Sequence, residues 1–482
     1  VGNLDRNEFE GTVSASGAAV TLKDRSDLSL GTVTATDTTA IEAKGSVTVA
    51  TGSKVKVGDF NEATLAVNDS KALTLTAGKG VTVAGDVGAS GAATVKANGG
   101  ALAVTGGRLV AGGDLEATAT GAATLSGAAF VGGKGKATLS AKSAALSDAA
   151  NLSAVGDVKV MATDAVALNG TSKVGSDASV TLEGAGVTGE SGSTVRAGTT
   201  LGVTATDGAI SLAGETSAKG AATFDAGTKD VTVGNLDKNE FEGTVSATGA
   251  KVTLEDKSDL TLGTVTATGA LVAEAAGSLT ANGAVSGVGV TLKGGKDVTV
   301  ASGSTVRSGA FSVNESTGEV KGLGAATTLK IEAGEAVSVA GKAGSSGSVD
   351  VDAGTTLGVS GLLGAAASDG TTTLDAGGAA TVSGTVAGNG TLTVGGTKAP
   401  ATLGVSGRLV SKGDLAATAS GAVSLTGAGK VGSDKGVKIK GSGVTGEAGT
   451  TVRAGTAATG DSLSVTATDG AISLAGETSA KG

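Results

Sequence analysis

Three close pairs of acidic residues are the first places where this chain could do chemistry: Glu8/Glu10, Asp24/Asp27 and Glu240/Glu242. Two carboxylates held near each other can act as general acid and base, as on the faces of polysaccharide-cleaving rods. Such enzymes carry longer loops and more aromatic residues than are found here, so the pairs read as solvated turn charges. Three segments repeat Thr-Val-Arg, at Thr194–Arg196, Thr305–Arg307 and Thr451–Arg453. A guanidinium at a repeated position can pair with anionic groups, but here it reads as capping a turn or lying over a face. Thr-x-Thr pairs stand at Thr34/Thr36, Thr74/Thr76, Thr118/Thr120, Thr204/Thr206 and Thr391/Thr393. They are too irregular for a flat ice-binding ladder. Lys412-Gly413-Asp414 resembles an adhesion tripeptide, yet its near-copy reads Gly112-Gly113-Asp114.

Composition removes other chemistries. The 482 residues contain no Cys, His, Trp or Tyr, one Met (Met161), one Pro (Pro400) and six Phe. Metal sites built on His or Cys, His acid–base catalysis and Cys nucleophiles are excluded. No Gly-x-x-x-x-Gly-Lys-Ser/Thr segment offers a phosphate cradle, and no calcium nonapeptide array is present. The expectation is a non-enzyme with no catalytic, cofactor-binding or metal site residues and no cofactor. A formal net charge of −9 argues against nucleic acid as a partner. No apolar run is long enough to span a bilayer as a helix, so no membrane insertion is expected.

The elements that would position these residues announce themselves as repeats. Val1–Val13 returns as Val233–Val245 with Lys238 in place of Arg6, an offset of 232. Gly107–Leu115 returns as Gly407–Leu415 at an offset of 300, and Val203–Leu212 as Val465–Leu474 at 262. Changing offsets mean that whole blocks were inserted or lost, which a stack of similar units tolerates and a single compact core does not. Two large repeats are expected, residues 1–232 and 233–482, the second continuous with the first. Gly220 corresponds to Gly482, so the stretch Ala221–Thr232 would be expected to follow residue 482. The opening Val1-Gly2-Asn3-Leu4-Asp5 is neither a signal peptide nor an initiator Met. The chain reads as part of a longer array.

Inside the large repeats runs a smaller one. Apolar pairs such as Val158/Val160, Val180/Leu182, Leu201/Val203 and Ala222/Phe224 recur every 21 or 22 residues. Val290, Phe311, Leu329, Val349, Thr372 and Leu392 continue the series in steps of 18 to 23. A second pair (Val166/Leu168, Ile210/Leu212, Val231/Val233) and a third apolar spot (Val174, Val195) lie between these marks. Alternation over three to five residues means strand. The 85 glycines supply corners, and proline is excluded because it would remove a ladder donor. The expected fold is all-β, a parallel β-helix (β-solenoid) with three short strands per coil of about 21 residues, and about 23 coils at that spacing. A disordered linker and silk-like or amyloid-like stacking are the competing readings of a Gly/Ser/Ala-rich chain. A mean hydropathy of +0.22 and the regular pairs favour the solenoid.

Gly107-Arg-Leu-Val-Ala-Gly-Gly-Asp-Leu115, its near-copy Gly407–Leu415, and Lys79-Gly-Val-Thr-Val-Ala-Gly85 resemble the repeat region of filamentous haemagglutinin-type adhesins, exoproteins of two-partner secretion. The likeness extends over nearly the whole chain and is mainly one of composition and rhythm. It implies a right-handed β-helix, export through an outer-membrane secretion partner, and an extracellular place on a bacterial cell surface. It also implies roles in attachment, aggregation or biofilm, with surface glycans or host cells as further partners. No secretion-directing Asn-Pro-Asn-Gly-type motif is found, and no functional residue transfers, because the repeats are shaft. The expected function is therefore a non-enzymatic secreted surface filament. The alternative is a self-assembling extracellular fibre or sheath, with copies joined end to end or side by side.

Overall fold

The structure is a computed structural model that describes every residue except 60, 62–67, 315–318, 457–460 and 482. Gly482, the last residue of the second repeat, therefore lies outside the described residues. The chain is an all-β parallel β-solenoid of about 20 turns, with about 21 residues per turn. By its internal contacts it divides into two compact units, Val1–Gly243 and Thr244–Gly482.

One turn of the first unit shows how the sequence dictates the winding. Val180–Gly184, Val187–Gly189 and Thr194–Ala197 are its three strands. In the first, Val180, Leu182 and Gly184 are buried while Thr181 and Glu183 are only partly covered. This is the period-two alternation of a half-buried strand. The strands of the next turn are Leu201–Ala205, Ile210–Leu212 and Glu215–Ala218. Each pairs in parallel with its predecessor: Val180 faces Leu201, Val187 faces Ile210 and Val195 faces Thr216. Like residues thus stack over like, and the core is a set of apolar columns. The expected pairs fall where the rhythm put them, with Val158 opposite Val180 and Val160 opposite Leu182.

Corners follow from the same stacking. Gly334, Gly354 and Gly377 lie one above another, and a Cβ on any of them would run into the carbonyl oxygen of the glycine below. Only a hydrogen fits there. The core admits few rings: Phe224 and Phe241 are fully buried and meet edge-to-face at 5.9 Å and 78° in the first unit.

One expected coil is corrected. Val290 pairs not with Phe311 but with Leu329. Phe311–Asn314 leaves the winding and pairs antiparallel with Glu319–Gly322, as a hairpin. Phe-Ser-Val carries the same alternation as a coil strand, and alternation does not say which strand will be the partner. Gly309, with φ +71°, turns the chain outward after the strand Thr305–Ser308, in a conformation that side chains disfavour. In the first unit Gly58 (φ +75°) follows Lys54–Val57 in the same way, and Leu73 resumes the stack on Thr39. Such excursions use residues without adding turns, so about 20 turns form where uniform spacing predicts 23.

Candidate functional site

The three acidic pairs have different surroundings. Asp24 is fully buried, and its carboxylate accepts from the Phe9 amide at 3.1 Å and from the amide and hydroxyl of Ser26, both at 2.8 Å. Asp27 accepts from the Ser46 amide, one turn on, at 2.7 Å. The second unit repeats this device: buried Asp256 holds Ser258, and Asp259 holds the Ser278 amide at 2.7 Å. Both carboxylates in each pair are engaged with backbone donors of the corners. Glu8 is ion-paired to Arg25 across half-exposed side chains, and Glu10 is exposed. Glu240 and Glu242 border a groove of about 160 Å³ that also contains Arg196, Glu215 and Lys219. No group of three acidic residues suited to holding a metal ion occurs among the described residues.

The Thr-Val-Arg segments form third strands rather than corners, with Val buried and Arg pointing outward. Their arginines have different surroundings. Arg307 lies over the Phe311 ring, 5.4 Å from its centre, and its Nη2 donates to the Phe311 carbonyl at 3.0 Å. Arg453 stands 4.0 Å from Asp434. The Thr-x-Thr pairs make no ladder: Thr74 and Thr76 face Thr94 and Lys96, which in turn face Glu116 and Thr118. Asp414 of the Lys-Gly-Asp tripeptide accepts from the Gly436 amide at 3.1 Å, as Asp114 does from Lys136 at 2.9 Å. It is another corner cap.

Three faces with distinct chemistry emerge. The first strands carry charge outward, and ion pairs bridge adjacent turns: Lys23–Glu42 at 3.0 Å and Lys293–Glu274 at 2.7 Å. In the second unit this face gathers Lys330, Glu332, Asp350, Asp352, Asp375 and Lys398. Burial raises the Asp350 carboxyl above its ordinary range, with the nearby Lys330 opposing. The Glu274 carboxylate, bonded to Lys293, raises that ammonium. The second strands present an uncharged column, Thr48, Thr82, Ala103, Thr124, Ala145, Ala167, Thr188, Ser211 and Thr232 in the first unit.

The third face holds the features that sequence reasoning missed. In the second unit the 311–322 hairpin lies on it, with Phe311 and Val320 buried against Ala366 and Ala387. Asn389 donates to the carbonyls of Val320 and Ala366, the latter at 2.8 Å. Beyond Asn389 the face opens into a groove of about 400 Å³ lined by Val410, Arg408, Lys412, Lys430, Asp434 and Arg453. The sequence signals for it were the third Thr-Val-Arg segment and the repeated Gly407–Leu415 segment with its Lys412, but nothing in the sequence joined them, since they come from different turns.

Fold and surface together define a β-solenoid repeat protein with short corners and grooved faces. No family model, curated protein or solved structure matches the chain.

Proposed function

We propose that this chain is shaft: the repeat region of a secreted, non-enzymatic bacterial surface filament, similar to the filamentous haemagglutinin-type exoproteins. In this reading an outer-membrane partner exports the full-length protein, which stands on the cell surface and supports attachment, aggregation or biofilm. The carrying observation is how the acidic side chains are used. Asp24 and Asp27 hold corners together, as Asp256 and Asp259 do in the second unit, and Glu8 bridges neighbouring turns. A polypeptide that commits its carboxylates to the repeat is suited to stiffness and reach, not turnover. Exposed Thr, Ser, Lys and Asp on successive turns provide weak contacts that gain strength by multiplicity.

A self-assembling fibre is the second reading, favoured by the charge-free Thr/Ser/Ala column of the second strands, which a like surface could approach without charge repulsion. Imaging of the native secreted protein separates the two. Separate filaments anchored at cells support the shaft, and continuous fibres of indefinite length support the polymer. Polysaccharide turnover that disappears with Glu240→Gln/Glu242→Gln would overturn both.

A further inference from the structure

The two copies of one segment differ at the groove on the third face. Gly107–Leu115 and Gly407–Leu415 are near-identical in sequence, and their strands Arg108–Ala111 and Arg408–Ser411 occupy equivalent places. In the first unit Arg108 pairs in register with Phe130, and its guanidinium carbon lies 5.4 Å from the centre of that ring. The ring reaches over Gly132, and Ser153 follows Gly132 in the column. In the second unit the register is the same, but the residues change. Lys430 replaces Phe130 beside Arg408, Arg453 replaces Ser153 beyond Gly432, and Lys412 replaces Gly112 at the corner. Asp434 in place of Lys134 is the one change in the opposite sense. The lid formed by Phe130 in the first unit is absent from the second, and cations surround the space.

We propose that this groove, between Asn389 and Arg453, binds adjacent tetrahedral oxyanions, phosphate or sulfate, carried on a flexible linear polymer. Arg408 and Lys430 face each other on adjacent turns, roughly 4.8 Å apart, and Arg453 lies one turn further on and two residues along its strand, opposite Gly432. That arrangement suits consecutive anions on a chain better than a single ion. Guanidinium groups match the paired oxygens of such anions, and lysines add point charge. Asp434 stands 4.0 Å from Arg453, with both side chains about half exposed. Val410 and Gly432 give the floor no aromatic face, which separates it from a base-stacking nucleic-acid site. The site stands on the difference between the two copies, whether or not the chain is a filament shaft.

The test is calorimetric titration of the 482-residue chain at low salt with inorganic polyphosphate, dextran sulfate, orthophosphate and a single-stranded oligonucleotide. The expected result is one site for polyphosphate or dextran sulfate, and the tighter of the two names the source of the anion. The variant Lys412→Gly/Lys430→Phe/Arg453→Ser installs the first unit's residues on an equivalent backbone. It should bind at least about tenfold more weakly, the scale of one lost charge-assisted hydrogen bond, with an unchanged melting curve. The reciprocal variant Gly112→Lys/Phe130→Lys/Ser153→Arg should gain a second site, a readout that survives if the first variant folds poorly. No binding of either polymer overturns the proposal. So do an unaltered affinity in the first variant, no second site in the reciprocal one, or tighter binding of orthophosphate or the oligonucleotide than of both polymers.

Discussion

Buried carboxylates in this protein act as acceptors for corner amides, and their removal should be felt locally. Asp24→Ala leaves the amides of Phe9 and Ser26 without their acceptor, and Asp256→Ala does the same to Ser258. Each should cost about 1–3 kcal/mol, read as a lower midpoint in urea denaturation; an unchanged midpoint would contradict the capping role. Asp350 should behave in the opposite way. Its carboxyl titrates above the ordinary range because it is partly buried, so the folded state holds that proton more tightly than the unfolded state does. The resulting stability is present in acid and is lost as pH rises through the raised value. Asp350→Asn should therefore leave the melting temperature at neutral pH unchanged or raise it. Any advantage should vanish below the ordinary aspartate range, and a clear loss at neutral pH would refute the assignment. Gly354→Ala sets a methyl against the Gly334 carbonyl in a stacked corner. It should lower the melting temperature, whereas Gly202→Ala, whose Cβ would meet nothing within 4 Å, should not.

At the scale of the strand and hairpin, stability comes from stacking rather than from the element itself. Three to six residues of strand hold no structure alone, but each is paired above and below. Leu182, fully buried between neighbours in its column, should cost about 2–5 kcal/mol when cut to alanine. Because each turn touches only its neighbours, hydrogen exchange should quicken most in Val158–Leu212 and little in the second unit. Uniform quickening would argue for a single cooperative core. The 311–322 hairpin is anchored by Phe311 and Val320, by Arg307 over the Phe311 ring and by Asn389. Phe311→Ser should release it to proteolysis while the far-ultraviolet dichroism of the solenoid persists. Resistance equal to that of the parent chain would show that the ring is not its anchor.

For the molecule as a whole, each unit is a stack of near-equivalent turns. The turns present three faces: a charged first face, an uncharged second and a grooved third. Differences between copies, as at Phe130 and Lys430, are where one repeat can acquire a role that another lacks.

The winding was legible in the residues because an alternating apolar pair, a glycine corner and a fixed spacing recur along the chain, and parallel stacking repeats each choice in the next turn. Val158, Val180 and Leu201 could be placed in one column before any coordinates. Phe311 could not, because a strand on the stack and a strand of a hairpin share one alternation, and only pairing distinguishes them. The roles of Asp24 and Asp27 were hidden for a related reason: their backbone partners Phe9 and Ser46 lie about one turn away. The third-face groove was hidden most completely. Arg408, Lys430 and Arg453 are separated by a turn each in sequence and become neighbours only when the chain coils. Local periodicity therefore determined the coil, whereas which side chains meet across coils was decided by the register of the stack.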